Sequence, residues 1–414
     1  MTRRVSLKRG RSSSKLEREV NRVLANDNCS GCGVCVLVSQ RITVDLDAQG
    51  FNRPTVSGSD SGARDQAEAA AFAKVCPGIS LRAPSSNGKR THPIFGSYVD
   101  AWQGWAVDPD FRYAGGSGGV LSALAYWLVS SKQVQAVAGS GMSAIQPTRT
   151  VPLRIASRDE ALASAGSRYA PVANTVSGAH CEAFIGKPCE VSGRFQFASR
   201  SGSVDEQLPV LLSFFCAGTP SQGATDELVG TLGVEPVDAA SLRYRGNGWP
   251  GRFEVHATDG RVRSMSYADS WGNNLGRHLQ LRCKLCADGT GEHADIAVGD
   301  YWAADEKGFP VFAEAAGNSV IIARTQRGAA LIAAASDQGV VHLSSIDLDS
   351  AAAVQTLQTE RRRTLAGRLV GRQLAGYRIP RYRGYNLLSQ LVYHAAANLR
   401  AAAGTFTRST GLRK

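Results

Sequence analysis

Apolar and polar residues alternate along this chain with two different periods, and these periods predict its first elements. Residues 42–56 alternate apolar and polar side chains on either side of a turn at Ala48–Gly50. A period of two around a turn predicts a β-hairpin. The polar and then Ala-rich stretch 57–75 predicts a helix that ends just before Cys76. Residues 1–22 have no hydrophobic period, so this stretch is expected to be disordered.

From residue 93 onward, predicted strands alternate with predicted helices, which is typical of a mixed α/β fold. The predicted elements are a strand at 97–107, a helix at 120–131, strands at 134–138, 208–215 and up to 300, a helix at 174–184, a strand–helix–strand set within 308–350, and a helical tail at 355–414.

Three cysteines in the sequence CSGCGVC, followed by a distant Cys-Pro pair, predict an iron-sulfur site. The spacing C-x2-C-x2-C places three thiols around one cuboidal cluster, and a remote cysteine before proline closes such triplets in bacterial ferredoxins. The predicted ligands of this first 4Fe-4S cluster are Cys29, Cys32, Cys35 and Cys76. The alternative is a structural zinc site, but zinc sites usually pair two C-x-x-C halves or add histidines, and no histidine lies between residues 29 and 76.

Four further cysteines form a second set, consisting of Cys189, Cys216, Cys283 and Cys286. Cys189 and Cys216 follow predicted strands, where open α/β sheets place their sites, and the last two form a C-x-x-C pair. The spacing leaves two alternatives open: the first two are core residues, and the pair is a redox dithiol. The ninth cysteine, Cys181, is then spare and is interpreted as a small buried residue.

A glycine-rich segment, Gly115, Gly116, Ser117, Gly118 and Gly119, leads into the apolar helix at 120–131. Free backbone N–H groups at a helix start suit a phosphate or pyrophosphate. The segment matches neither the dinucleotide fingerprint nor the P-loop, and a tight helix entry explains it equally well.

Charge is unevenly distributed along the 414 residues. Residues 1–22 carry eight Lys/Arg against two Glu, residues 361–414 carry twelve Lys/Arg and no acid, and the remainder has a net charge of −6. Basic ends around an acidic body indicate an acidic partner, such as nucleic acid, anionic lipid or a ferredoxin, or else only solvated arms. The longest apolar run is too short to cross a bilayer and no signal sequence is recognised, so a cytoplasmic location is expected.

With these motifs laid out, the sequence resembles the coenzyme F420 hydrogenase/dehydrogenase beta-subunit family, over roughly residues 28–350. That family includes flavin subunits of deazaflavin-dependent hydrogenases and the 7-hydroxymethyl chlorophyll reductases. The basic tail resembles that of members associated with exopolysaccharide gene clusters. The resemblance is carried by six ordered blocks: CSGCGVC with KVCPG, GGSGGVLSALAYWL, AGSRYAP, GKPCE, FFCAGTPS and RCKLCADGTGEHADIAVGDYW.

The resemblance implies a fold that binds FAD, with the glycine segment and the loop Ser167, Arg168, Tyr169 lining the flavin site. It also implies that the second cysteine set holds a second 4Fe-4S cluster near the flavin. Two positions depart from the family pattern: Arg168 replaces a lysine, and Glu190 replaces a glutamine. Both changes are expected to influence the flavin or the substrate.

Five segments follow from these observations together. They are a basic disordered arm at 1–22, a ferredoxin-like 4Fe-4S module at 23–83, the N-terminal part of the FAD-binding domain at 93–180, its C-terminal part with the second cluster at 181–354, and an Arg-rich helical tail at 355–414.

The predicted activity is that of an iron-sulfur flavoprotein that passes electrons from ferredoxin or reduced coenzyme F420 through the clusters to FAD and on to an organic substrate. The alternative is an electron-transfer subunit without its own substrate. Asp300 and His278 are weak candidates for the proton donor, with structural roles as the alternative. The tail leaves peripheral membrane contact open, oligomers are compatible with the sequence, and a nucleic-acid partner is not favoured.

Overall fold

The computed structural model describes residues 13–58, 62–87, 89–176, 181–200, 208–306 and 310–411. Its helices are α1 Lys15–Ala25, α2 Ala63–Val75, α3 Pro109–Ala114, α4 Val120–Ser130, α5 Arg158–Ala163, α6 Pro188–Ser199, α7 Gln222–Thr231, α8 Leu281–Lys284, α9 Gln326–Asp337, α10 Leu348–Val354, α11 Thr356–Leu374, α12 Leu387–Tyr393 and α13 Ala395–Thr410.

The strands fall into one large sheet and several small ones. They are β1 Ile42–Leu46, β2 Asn52–Val56, β3 Ser80–Arg82, β4 Arg90–His92, β5 Gly96–Tyr98, β6 Asp100–Ala106, β7 Val137–Met142, β8 Thr150–Ile155, β9 Ala183–Gly186, β10 Val210–Phe214, β11 Ala239–Arg243, β12 Arg252–Ala257, β13 Val262–Ser266, β14 Ile296–Asp300, β15 Ala303–Ala304, β16 Pro310–Val311, β17 Ser319–Ala323, β18 Val341–Ser345 and β19 Arg381–Arg383.

The large sheet has eight strands in the order β18-β6-β17-β14-β10-β9-β7-β8. Its central strands β7, β9, β10 and β14 run parallel, and antiparallel strands flank them on both sides. The largest apolar core lies where α4, α5 and α9 cover this sheet. The predicted mixed α/β class is therefore confirmed.

A small N-terminal module precedes the sheet and contains the predicted hairpin. Strands β1 and β2 pair antiparallel, with Ile42 opposite Val56. Helices α1 and α2 pack beside the hairpin around Leu16, Val20 and Phe72, and three cysteines of the first set, Cys29, Cys35 and Cys76, join this core. The module thus forms one packed unit in which the cysteine loop is part of the core.

The prediction that residues 1–22 form a disordered arm is wrong for residues 15–22, which belong to α1. Leu16, Val20 and Val23 repeat at intervals of four and three and are buried, so a helical period is present and was overlooked. Ser14 caps the helix by accepting a hydrogen bond from the Glu17 N–H. Residues 1–12 lie outside the described part of the chain.

A second correction concerns the helix expected at 174–184. Residues 183–186 form strand β9, which pairs with β7 and β10, while residues 177–180 lie outside the described part. A short apolar run next to glycine cannot be assigned to a helix or a strand by periodicity alone, and pairing within the sheet decided the outcome.

Apolar residues of the tail pack on the body, where Leu365 and Leu369 share a core with Leu81. Within the tail, α11 packs on α13 through glycines. Gly367 and Gly371 of α11 approach the α13 backbone so closely that a Cβ at either glycine would lie 2.1 or 2.2 Å from a carbonyl oxygen. Leu388, Val392 and Leu399 of α12 and α13 remain 72–79% exposed. Small residues in α11 therefore set this helix packing.

Among the described residues, the chain has no helix of sufficient length and apolar character to span a membrane.

Candidate functional site

The first cysteine set converges at the junction between the N-terminal module and the large domain. Three of its members lie in the loop and turn before β1, and Cys76 ends α2. Gly31 and Gly33 between them adopt φ values of +69° and +75°, and a Cβ at Gly31 would lie 2.8 Å from a backbone oxygen. Glycine is therefore required for this wrapping.

The electrostatics of this set show that its four thiols lie close together. Burial raises the pKa of each thiol, that of Cys32 to about 11. The pKa of Cys35 is raised further by the charges of Cys32, Cys29 and Cys76. Four buried thiols with raised pKa values are poor thiolates alone, and a bound cationic centre would reverse that preference.

A small cavity lies between these thiols, and its other walls include Val20, Val44, Pro54 and Phe72. No group of three or more His, Cys, Asp or Glu side chains in the described part of the chain is arranged to hold a metal ion. Four thiols around one cavity are the donor set that a cuboidal 4Fe-4S cluster takes, and tetrahedral zinc takes the same set.

The second cysteine set also converges, although its members come from three separate parts of the large domain. Cys189 lies in the first turn of α6, Cys216 follows β10, and the other two lie in and after α8. The Thr219 N–H donates to the Cys283 sulfur at 3.3 Å. The pKa of Cys216 is raised to about 12 by burial and then by Cys283.

The two cysteine sets are neighbours. Cys189 packs against the small apolar cluster that contains Cys32. After burial, the charge of Cys32 is the next cause of the raised pKa of Cys189. Cys181 belongs to neither set; it lies half-buried against a different apolar cluster, around Phe184 and Leu211, in accordance with its interpretation as a spare residue.

Helix α11 of the tail packs against the second cysteine set. The sequence did not predict this contact. The Arg361 guanidinium donates to the Cys216 carbonyl at 2.8 Å and to the Ala217 carbonyl at 3.2 Å. The Gln358 side chain also donates to the Cys216 carbonyl, at 3.1 Å. Arg361 is buried, so part of the basic tail belongs to the core; the apolar residues spaced between its arginines were the available signal.

A cavity of about 390 Å³ opens beside the second set, in the size range of small-molecule sites. Cys216 itself lines it. Seven of the eight residues predicted to contact flavin line this cavity: Gly115, Gly116, Ser117, Gly119, Ser167, Arg168 and Tyr169. Gly118 does not line the cavity; its N–H donates to the Ser319 hydroxyl at 3.0 Å.

The glycine segment brings the start of α4 to the cavity. Gly119 adopts φ +72° directly before the helix, and Val120, Leu121 and Ser122 in its first turn line the cavity. The first N–H groups of a helix have no partner within it, so they can bind an anionic group here.

Arg168 lines the cavity, but its guanidinium is engaged by hydrogen bonds to the neighbouring loops. Its guanidinium donates to the Thr150 hydroxyl at 2.8 Å, to the Leu242 carbonyl at 3.0 Å and to two further carbonyls, of Pro147 and Arg149. Burial lowers its pKa. The side chain therefore ties together the loops behind the wall.

Arg245 supplies a buried cation at the cavity wall that the sequence did not reveal. Its side chain is 1% exposed and pairs with the Asp300 carboxylate at 2.7 Å. It also lies 4.6 Å from the Tyr267 ring centre and 5.3 Å from that of Trp302. Burial lowers its pKa, but Asp300 and then Tyr169 outweigh this and raise it. Arg245 therefore stays charged.

The two candidates for a proton donor differ in position. Asp300 ends β14, lines the cavity and is bound to Arg245, so its carboxylate has a structural partner. His278 is exposed, does not line the cavity, and contributes its carbonyl to the Ser221 N–H at 3.2 Å. The structure brings only Asp300 to the site.

Lys187 and Glu190, which both line the cavity, form a buried ion pair. The Lys187 ammonium lies 3.0 Å from the Glu190 carboxylate and donates to the Val172 carbonyl at 2.7 Å. Glu190 is fully buried and also accepts from the Asn174 N–H at 2.9 Å. Burial lowers the pKa of Lys187, but Glu190 and then Cys189 raise it above its ordinary value. The departure at position 190 thus supplies the partner of this lysine.

We expect Asp300→Asn to destabilise the protein by about 2 kcal/mol, because it leaves the buried Arg245 charge unpaired. Asp300 is 22% exposed, so the effect falls below that for a fully buried pair. Urea unfolding measures the difference. Asp159→Asn, on the exposed first turn of α5, is the control and should change little. Equal stability of the two variants would contradict the assignment.

Two family models match the chain. Both describe the beta subunit of coenzyme F420 hydrogenase/dehydrogenase: the model of its N-terminal part matches residues 101–177, and the model of its C-terminal part matches residues 182–349. Together they span more than half of the chain. Comparison with curated proteins gives no match. Among solved structures, a chain of the F420-reducing NiFe hydrogenase complex from Methanosarcina barkeri, derivatised with xenon, is 17% identical over 66% of this chain and 91% of that chain, with a TM-score of 0.49.

Proposed function

Since the chain belongs to the coenzyme F420 hydrogenase/dehydrogenase beta-subunit family, we propose that it is an iron-sulfur flavoprotein oxidoreductase. Its donor is ferredoxin or reduced coenzyme F420, and its acceptor is an organic substrate. The observation that carries the proposal is the position of Cys216, which belongs to the second cysteine set and also lines the large cavity. The second cysteine set and the cavity therefore share a wall.

The residues that would hold the cofactors are already assembled. Each cysteine set would hold one 4Fe-4S cluster, and the glycine segment with the Ser167–Tyr169 loop would hold FAD. A flavin exchanges electrons singly or in pairs, so together with one-electron clusters it supplies the hydride chemistry that the side chains lack.

The side chains around the cavity would bind and orient the flavin rather than take part in the electron transfer themselves. The α4 N-terminus offers N–H groups to a phosphate, and Arg245 with its aromatic neighbours forms a rigid wall for a planar ring. Lys187 places a positive charge near Cys189 and Cys216, and its partner Glu190 offsets part of that charge. Asp300 can hold a proton at the cavity wall only by weakening its pairing with Arg245.

A cluster of cations beside the second set supports an acidic redox protein as the donor. The Arg368 guanidinium donates to the Lys284 carbonyl at 3.2 Å, and Lys284 lies next to Cys283 in the chain. Burial and then Arg408 and Arg368 lower the pKa of Lys284. Complementary charge speeds encounter between redox partners, and we propose this patch as the docking surface.

The second candidate function is that of an electron-transfer subunit that supplies a partner enzyme. The beta-subunit description of both matching models favours it. Turnover of a substrate by the purified chain alone would support the first candidate, whereas co-purification with a second polypeptide that is required for turnover would support the second.

The test of the cofactors is anaerobic purification followed by iron, sulfide and zinc analysis and a visible spectrum. We expect about eight irons per chain with matching sulfide and the absorption bands of a bound flavin. Zinc without flavin would contradict the proposal. Reduction of the bound flavin by ferredoxin or by reduced coenzyme F420, tested separately, then identifies the donor.

A further inference from the structure

Arg282 is anchored on both cysteine sets at once. The side chain lies in α8 and is buried, with 2% exposure. Its Nη2 donates to the Pro77 carbonyl at 3.0 Å, and its Nη1 donates to the Leu285 carbonyl at 3.2 Å. Pro77 follows Cys76 of the first set, and Leu285 precedes Cys286 of the second. One guanidinium thus joins two loops that are 205 residues apart in the chain.

The charge of Arg282 also reaches both sets. A guanidinium stays protonated in proteins. Its hydrogen bonds to the Pro77 and Leu285 carbonyls place this permanent positive charge beside the loops of Cys76 and Cys286.

Two other arginines, Arg53 and Arg361, each lie near one of the two cysteine sets. Arg53 acts on Cys29 and bonds to the Gln280 side chain at 3.0 Å. Arg361 acts on Cys216. Arg282 is distinguished from both by its hydrogen bonds to the two loops.

We propose that Arg282 is a positioning residue for both redox sites, which holds the Cys76 and Cys286 loops together and favours the reduced state of a cluster in either set. This inference rests on the proposed function, because it requires a cluster in each set. Each cluster would take up one electron, which adds one negative charge. A buried cation stabilises that added charge and so raises the reduction potential.

The experiment is a redox titration of the full chain, purified anaerobically and followed by electron paramagnetic resonance, with dithionite as reductant. In Arg282→Gln we expect the midpoint potentials of both clusters to become more negative. Arg277→Gln is the matched control, because Arg277 is exposed and, among the described residues, bonds to the nearby Asn273 side chain; its potentials should equal those of the native protein. A purely structural role would lower iron content or stability without moving the potentials.

Unchanged potentials for either cluster in Arg282→Gln with full iron content would overturn the inference. If that variant does not retain iron, Arg282→Met decides, because a methionine side chain fills part of the space of the arginine stem but carries no charge. We then expect the potentials of both clusters to fall, and a native potential at either would overturn the inference. If the native protein lacks two cluster signals, the proposed function and the inference are overturned together. If the native protein shows both signals and the Arg282 variants keep the native potentials, the inference alone is overturned.

Discussion

Replacing Cys35 and Cys76 together with alanine is expected to lower the iron content by about four atoms per chain. Two remaining thiols cannot retain a cuboidal cluster, so the whole first cluster should be lost. The flavin and the second cluster should remain, because their proposed ligands lie in the large domain. Iron and sulfide analysis with the visible spectrum measures the result.

Cys181→Ala is the matched control for that variant, since Cys181 is the one cysteine outside both sets. It should retain full iron and flavin. An unchanged iron content in the double variant would exclude the first set as a cluster site, and equal losses in the control would show that iron content follows folding rather than ligation.

Replacing Gly116 with valine is expected to reduce bound flavin roughly tenfold, because a closely packed site tolerates added methyl groups poorly. A Cβ at Gly116 would lie 2.7 Å from the Ser167 hydroxyl oxygen and 3.1 Å from the Ser167 nitrogen. The side chain would therefore push apart the two segments that we propose hold the flavin. The ratio of flavin to protein in the purified variant measures the effect.

Gly230→Val is the control, because a Cβ at Gly230 meets nothing within 4 Å. It should keep its flavin. Iron content should stay at the native value in both variants, since neither glycine lies among the cysteines. A native flavin content in Gly116→Val would mean that flavin does not bind against this glycine segment. Either flavin binds at another place in the protein, or the cavity holds a different ligand.

Much of the local structure was accessible from the sequence. The alternation over residues 42–56 predicted the hairpin of β1 and β2, and the apolar run after Gly119 predicted α4. These elements were predictable because their side chains repeat with the period of the structure they form. Helix α1 could have been predicted from the spacing of Leu16, Val20 and Val23, but the surrounding charges obscured it.

The sequence by itself determined which residue types are available: four cysteines at cluster spacing, two more after predicted strands, a C-x-x-C pair, and a glycine segment before an apolar helix. Only the tertiary structure decided that Cys189 lies beside Cys32, that Arg361 of the tail closes over Cys216, and that Arg282 joins both cysteine loops. The physical reason is the separation of the contacting residues along the chain. Periodicity and motif spacing report contacts within one element, whereas these contacts join residues more than 140 positions apart and exist only once the sheet and the tail have packed.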